Sequence, residues 1–232
     1  MPTNIAIPTL DGAGKIPAYC ARPEGTPRGA IIVIPEIFGV NVGIAAKCDE
    51  WAKLGYLAAA PDIFWRFAPG SELDPDVEGE FKQAIDNMMQ FDADDGVKDI
   101  EALVKYIRTE EGVAKVGAVG FCLGGRLAYM AATRTDVDAS VGYYGVMIDQ
   151  MLGEAHAIAR PLMLHIPTAD HFVGPEAQRA MHAALDSHPR VTLHDYEGLD
   201  HGFAATSGSR RDEGGAQLAD QRTRDFFAQH LG

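Results

Sequence analysis

Cysteine is scarce in this chain of 232 residues: Cys20, Cys48 and Cys122 are its three thiols, an odd set without metal-ligand spacing. Such a set excludes a disulfide scaffold or a zinc ribbon and suits free thiols in a reducing cytoplasm. Positive charge is also thin. Lys and Arg total 20 against 33 Asp and Glu, a formal net charge of −13, which opposes binding to nucleic acid or to an anionic membrane surface. The apolar runs are short and broken by glycine and proline, so nothing reads as a membrane span. Met1-Pro2-Thr3-Asn4 lacks the basic and apolar segments of a secretory leader. No Gly-x-Gly-x-x-Gly fingerprint, phosphate loop or His-Glu-x-x-His pair is present, so no cofactor and no metal is implied. The expectation is a cytoplasmic protein with a small-molecule partner; a monomer is the simpler reading, with a dimer left open.

Hydrophobic residues make up 47% of the chain, enough for a sizeable core, and no repeat or composition shift divides it. A single domain over residues 1–232 is expected. Segments 16–21, 30–34, 56–61, 116–120, 139–144, 162–166 and 191–196 read as strands, several apolar on both faces as in a covered parallel sheet. Residues 94–110 read as a helix, with Val97, Ile100, Leu103, Val104 and Ile107 on one stripe. Further helices are read at 126–133, 175–187 and 216–231. Alternating strands and helices give a doubly wound α/β fold, whose ligands sit at the carboxyl ends of the strands.

Gly120-Phe121-Cys122-Leu123-Gly124-Gly125 places a cysteine at the centre of a Gly-x-nucleophile-x-Gly elbow. An apolar strand precedes it and a helical pattern follows, which is the context the motif requires. A sharp strand-to-helix turn tolerates only small neighbours, and it sets the sulfur over a helix amino terminus, where negative charge is favoured. A buried cysteine is elsewhere often a small hydrophobe, so the elbow alone does not decide the matter. Two later loops add to it. Asp170 follows one predicted strand and His201 follows the last, completing the order nucleophile, acid, histidine of α/β-hydrolases. The alternatives are a turn-capping aspartate and a surface histidine.

With these residues in view, the chain resembles the dienelactone hydrolases (carboxymethylenebutenolidases) over nearly its full length. The resemblance rests on Ile34-Pro35-Glu36-Ile37-Phe38-Gly39-Val40-Asn41, Pro61-Asp62, Gly117 to Gly125, Gly142-Tyr143-Tyr144-Gly145-Val146, Asp170-His171-Phe172-Val173 and Asp200-His201-Gly202-Phe203-Ala204. It implies an α/β-hydrolase fold with a mostly parallel central sheet and helices on both faces. It implies Cys122, Asp170 and His201 as a triad working through a thioester, and Glu36 as a carboxylate that contacts the resting thiol. The backbone N–H groups of Ile37 and Leu123 are the implied oxyanion donors.

The resemblance breaks at the substrate. Family members acting on carboxylated dienelactone hold its carboxylate with two arginines; here Ala205 and Phe81 stand at those places. Ile85 and Met88 replace aromatic residues on the same helix as Phe81. Phe38 and the loop Phe64-Trp65-Arg66-Phe67 are further candidates to line the pocket. Arg66, Lys82, Arg126, Arg210 and Arg211 are the cations that could replace the missing pair. The expectation is a cysteine-dependent lactone or ester hydrolase whose substrate is more neutral or apolar than dienelactone. The alternatives are a general aryl-ester or thioester hydrolase and a non-catalytic receptor on the same fold.

Overall fold

The computed structural model describes residues 3–206 and 208–232. Eight strands form one sheet: β1 (Ile5–Pro8), β2 (Lys15–Ala21), β3 (Gly29–Ile34), β4 (Tyr56–Pro61), β5 (Val116–Phe121), β6 (Ala139–Tyr143), β7 (Leu162–Pro167) and β8 (Val191–Tyr196). Their order across the sheet is β1-β2-β4-β3-β5-β6-β7-β8. β1 and β2 are antiparallel additions at one edge, and every pairing from β4 to β8 is parallel. The parallel strands β3 to β7 are buried along their whole length, as their continuous apolar runs require. β8 is only partly buried along most of its length, which suits an edge.

Among the described residues there are six α-helices, α1 (Val42–Lys53), α2 (Glu78–Gln90), α3 (Ala93–Thr109), α4 (Leu123–Arg134), α5 (Pro175–Leu185) and α6 (Glu213–Leu231), all but α2 packed on the sheet. A 3-10 helix covers Ile148–Ala157. The expected apolar stripe of α3 is buried from Val97 to Ile107. Both α3 and α6 begin at an aspartate, Asp92 and Asp212, whose side chain accepts from the first-turn N–H groups. No described helix is long and apolar enough to cross a membrane.

Besides the 3-10 helix, which the sequence reading did not contain, three elements depart from it. β1 is short and hairpins onto β2 through a turn closed by Thr9, whose hydroxyl accepts from the Gly14 N–H at 3.0 Å. α1 starts at Asn41, whose side chain accepts from Ile44 N at 3.1 Å. The third is Tyr144, expected to end β6, which lies outside the strand because its φ of 39° turns the chain away.

Connections from β3 lead to β4 on one side, whereas β5 lies on the other. The chain therefore reverses direction across the sheet between β3 and β5, and the crevice at their carboxyl ends is where α/β sheets take ligands. The loops after β3, β5, β6, β7 and β8 all open on that edge.

Candidate active site

The turn from β5 into α4 is as tight as its glycines allow. A methyl group at Gly120 would lie 1.8 Å from the Gly124 carbonyl oxygen, and one at Gly124 would lie 2.3 Å from the Ile34 carbonyl oxygen. No side chain fits either place, so α4 packs directly onto the ends of β3 and β5. Cys122 pivots the turn with φ of 55°, a left-handed value that a cysteine adopts only under constraint. The constraint is visible: the Cys122 N–H donates to the Tyr143 carbonyl at 3.1 Å, and the Cys122 carbonyl accepts from Arg126 N at 3.2 Å. The thiol thus stands at the amino terminus of α4.

Asp170, after β7, is buried and fully engaged. Its Oδ1 accepts from the N–H groups of Phe172 (2.8 Å) and Val173 (3.0 Å). His201 Nδ1 lies 2.9 Å from Oδ2 and 3.1 Å from Oδ1, and since a carboxylate only accepts, Nδ1 carries the proton. That tautomer leaves Nε2 toward Cys122, buried and without another partner among the described residues. Burial opposes charge on the imidazole, but the Cys122 sulfur and the Asp170 carboxylate outweigh it and raise its pKa from 6.5 to about 10. Asp200 props the same loop. Although partly desolvated, its carboxyl is held below the usual range by hydrogen bonds from His171 and from the His201 N–H.

Cys122 and His201 open on a cavity of about 300 Å³ lined by Ile37, Phe38, Phe81, Ile85, Met88, Val146, Met147 and Phe172. Phe38 and Phe81 face each other with ring centroids 5.9 Å apart. Phe172, half exposed, sets its ring edge-on to His201 at 4.8 Å. The cavity wall is therefore apolar almost all round, apart from Arg210 and the rim residues Asp149 and Gln150. A second cleft of about 280 Å³ adjoins it, with Glu36, Lys47, Tyr144, Ala205, Thr206 and Arg210 in its wall.

Glu36 and Ala205 belong to this second cleft rather than to the cavity wall. One carboxylate oxygen of Glu36 lies 3.7 Å from Arg210 Nη2, and the other is buried with no hydrogen-bond partner. Tyr144 packs 4.9 Å from the His201 ring, and burial, reinforced by the Glu36 charge, keeps its phenol protonated well above 10. The N–H groups of Ile37 and Leu123 donate to none of the loop carbonyls among the described residues.

Trp65 lies elsewhere. Its Nε1 donates to Asp99 of α3 at 2.9 Å, Arg66 stacks on it at 4.5 Å, and it packs on Gly14. Asp99, nearly fully buried, needs the indole and the two Arg66 donors at 2.6 and 2.9 Å, and that need draws the loop after β4 toward α3. Of the other four cations, Lys82 pairs with Asp86, Arg211 with Glu213, and Arg126 donates to the Met147 sulfur. Only Arg210 among the five lines the cavity, its guanidinium 5.4 Å from the centre of the Phe38 ring. Among the described residues no group of three or more His, Cys, Asp or Glu could hold a metal ion.

Comparison with known proteins agrees with this architecture. The model of the dienelactone hydrolase family matches residues 16–231. The carboxymethylenebutenolidase of Pseudomonas putida is 36% identical over 97% of this chain and 95% of its own. That of Cupriavidus pinatubonensis is 33% identical over 95% and 94%. Among solved structures, a candidate dienelactone hydrolase of Klebsiella pneumoniae superposes with a TM-score of 0.83 at 26% identity, covering 97% of this chain and 98% of the other. The chain belongs to the dienelactone hydrolase family, enzymes of the α/β-hydrolase fold that act on lactones and esters.

Proposed function

We propose that this hydrolase opens its lactone or ester through a thioester on Cys122. The observation that carries the reading is the junction at the cavity floor. There a cysteine held at positive φ shares the cavity with an imidazole whose far nitrogen is fixed by a buried aspartate. In this mechanism Glu36, with one oxygen unpartnered, takes the thiol proton as substrate enters. Once the thiol is ionised, its charge and the Asp170 carboxylate raise the His201 pKa to about 10, so the attacking thiolate stands beside an imidazolium.

The sulfur attacks the carbonyl carbon, and the N–H groups of Ile37 and Leu123 receive the developing oxyanion. Collapse breaks the carbon–oxygen bond, and the leaving oxygen takes the His201 proton, giving a thioester. The now neutral His201 removes a proton from water, whose oxygen attacks the thioester carbon. Collapse expels the thiolate and leaves the carboxylic acid, and the proton held by Glu36 returns to the sulfur to restore the resting thiol. Asp170 holds the Nδ1 proton and the ring orientation throughout, so Nε2 is the nitrogen that gives and takes the proton.

The substrate best suited to the cavity has a compact apolar body between Phe38, Phe81, Ile85 and Met88. Arg210 offers the one cation to an anionic group on it. This combines the greasier wall expected from Phe81, Ile85 and Met88 with a guanidinium from a new position. Turnover of a carboxylated lactone and of a neutral aryl ester of similar size tests the reading. Cys122→Ala is expected to abolish turnover of both, by about 10⁴-fold or more. Cys122-independent turnover of either would defeat it.

A further inference from the structure

Lys47 is an unusual residue for the middle of α1. It is half-buried, and among the described residues no carboxylate pairs with it. Its ammonium instead donates to the Ala204 carbonyl at 3.2 Å and lies 4.4 Å from the centre of the Phe121 ring. Phe121 immediately precedes the nucleophile, and Ala204 lies three residues after His201. One cation therefore bridges the two chain segments that carry the reacting pair. The neighbouring Ala205 carbonyl accepts from Arg211 Nη1 at 2.7 Å, so two consecutive carbonyls behind His201 are held by cations. α1 also approaches this segment so closely that a methyl group at Gly43 would lie 2.3 Å from Thr206 Oγ1.

We infer that Lys47 is a positioning residue, clamping the segment behind His201 against the segment before Cys122 and so fixing the geometry of the reacting pair. This rests on the reading that Cys122 and His201 act together. The arrangement is costly, which argues against an incidental contact. Desolvation pushes the Lys47 pKa down, with Asp220, Glu50 and Glu36 opposing that fall and Arg211 adding to it. A methionine would fill the same space without that cost, and it would lose both the hydrogen bond and the attraction to the ring.

The test compares Lys47→Met, Lys47→Arg and, as a charge control on the exposed end of α1, Lys53→Met, by kcat, KM and NMR titration of the His201 ring. Lys47→Met is expected to lower kcat about tenfold with little change in KM. It is also expected to move the His201 titration down from about 10, against the small rise that loss of a cation alone would bring, because the Cys122 sulfur is no longer held beside the ring. Lys47→Arg should restore part of both, and Lys53→Met should change neither. If Lys47→Met leaves kcat or the His201 titration at the wild-type value, or Lys53→Met reproduces its effects, the clamp is refuted. Cys122→Ala, run alongside, separates the two claims: activity surviving it would defeat the thioester mechanism, not the clamp alone.

Discussion

The cavity at Cys122 and the cleft at Glu36 share Arg210 in their walls and are nearly equal in volume, about 300 and 280 Å³, yet the first is mostly apolar and the second mixes apolar with charged residues. Phe38, Phe81, Ile85 and Met88 make the first apolar, while Glu36, Lys47 and Arg210 bring charge to the second. An apolar wall keeps water from the thiolate and strengthens every electrostatic interaction beside it. Charges gathered in the adjoining cleft can move protons or hold an anion without crowding the reacting carbonyl. Under the proposed mechanism this is a division of labour: the cavity would hold the body of the substrate, and the cleft would manage charge.

Substitutions on the two sides should therefore separate in their kinetics. Asp170→Asn strikes the floor of the cavity and is expected to cost about 10³–10⁴ in kcat for every substrate, since the asparagine favours the wrong tautomer of His201. Steady-state rates on carboxylated and neutral esters check it, and an effect confined to one of them would erase the distinction. In the cleft, Glu36→Gln should slow acylation about 10²-fold with little change in substrate affinity, as read by single-turnover kinetics. Unchanged acylation would remove Glu36 from the mechanism.

Arg210→Met sharpens the comparison further. It is expected to lower kcat/KM for the carboxylated substrate by about 10–100-fold and for a neutral ester by less than about threefold. Equal losses on both would make Arg210 a structural residue. The smallest effect concerns stability. His201 binds its proton more tightly in the folded protein, pKa about 10 against an ordinary 6.5. The stabilisation this brings is complete below the unfolded value and is lost as pH rises through about 10. Cys122→Ala removes its largest favourable influence, so the variant's ring should titrate lower and its melting temperature should be less sensitive to pH over that window.

Much of the cavity floor was legible in the sequence because its geometry is local. Gly120 and Gly124 declare a turn that only a strand-to-helix elbow needs, and each later strand delivers one loop residue to the same sheet edge. Phe81, Ile85 and Met88, whose places the resemblance carried, meet in the cavity with Phe38, which was legible from its position after β3 at the same sheet edge. Trp65 did not join them, since the demand that captures it comes from Asp99, 34 residues away on another helix. Arg210 stood out from the other four cations only in three dimensions. The chain folds back after Ala205, with Asp212 N donating to the Phe203 carbonyl at 3.0 Å, and that return brings the guanidinium over Phe38. α1 is not legible in the sequence because Gly43, Lys47 and Asp49 interrupt its apolar pattern, although Lys47 is half-buried and Gly43 is needed for close approach.

The central claim is the covalent one, and rapid-quench mass spectrometry of the wild type with a slowly hydrolysed aryl ester tests it most directly. The account predicts an acyl mass on the peptide containing Cys122, labile to hydroxylamine, present during turnover and missing in Cys122→Ala. Turnover with no such adduct, or with the acyl group on another residue, would contradict it.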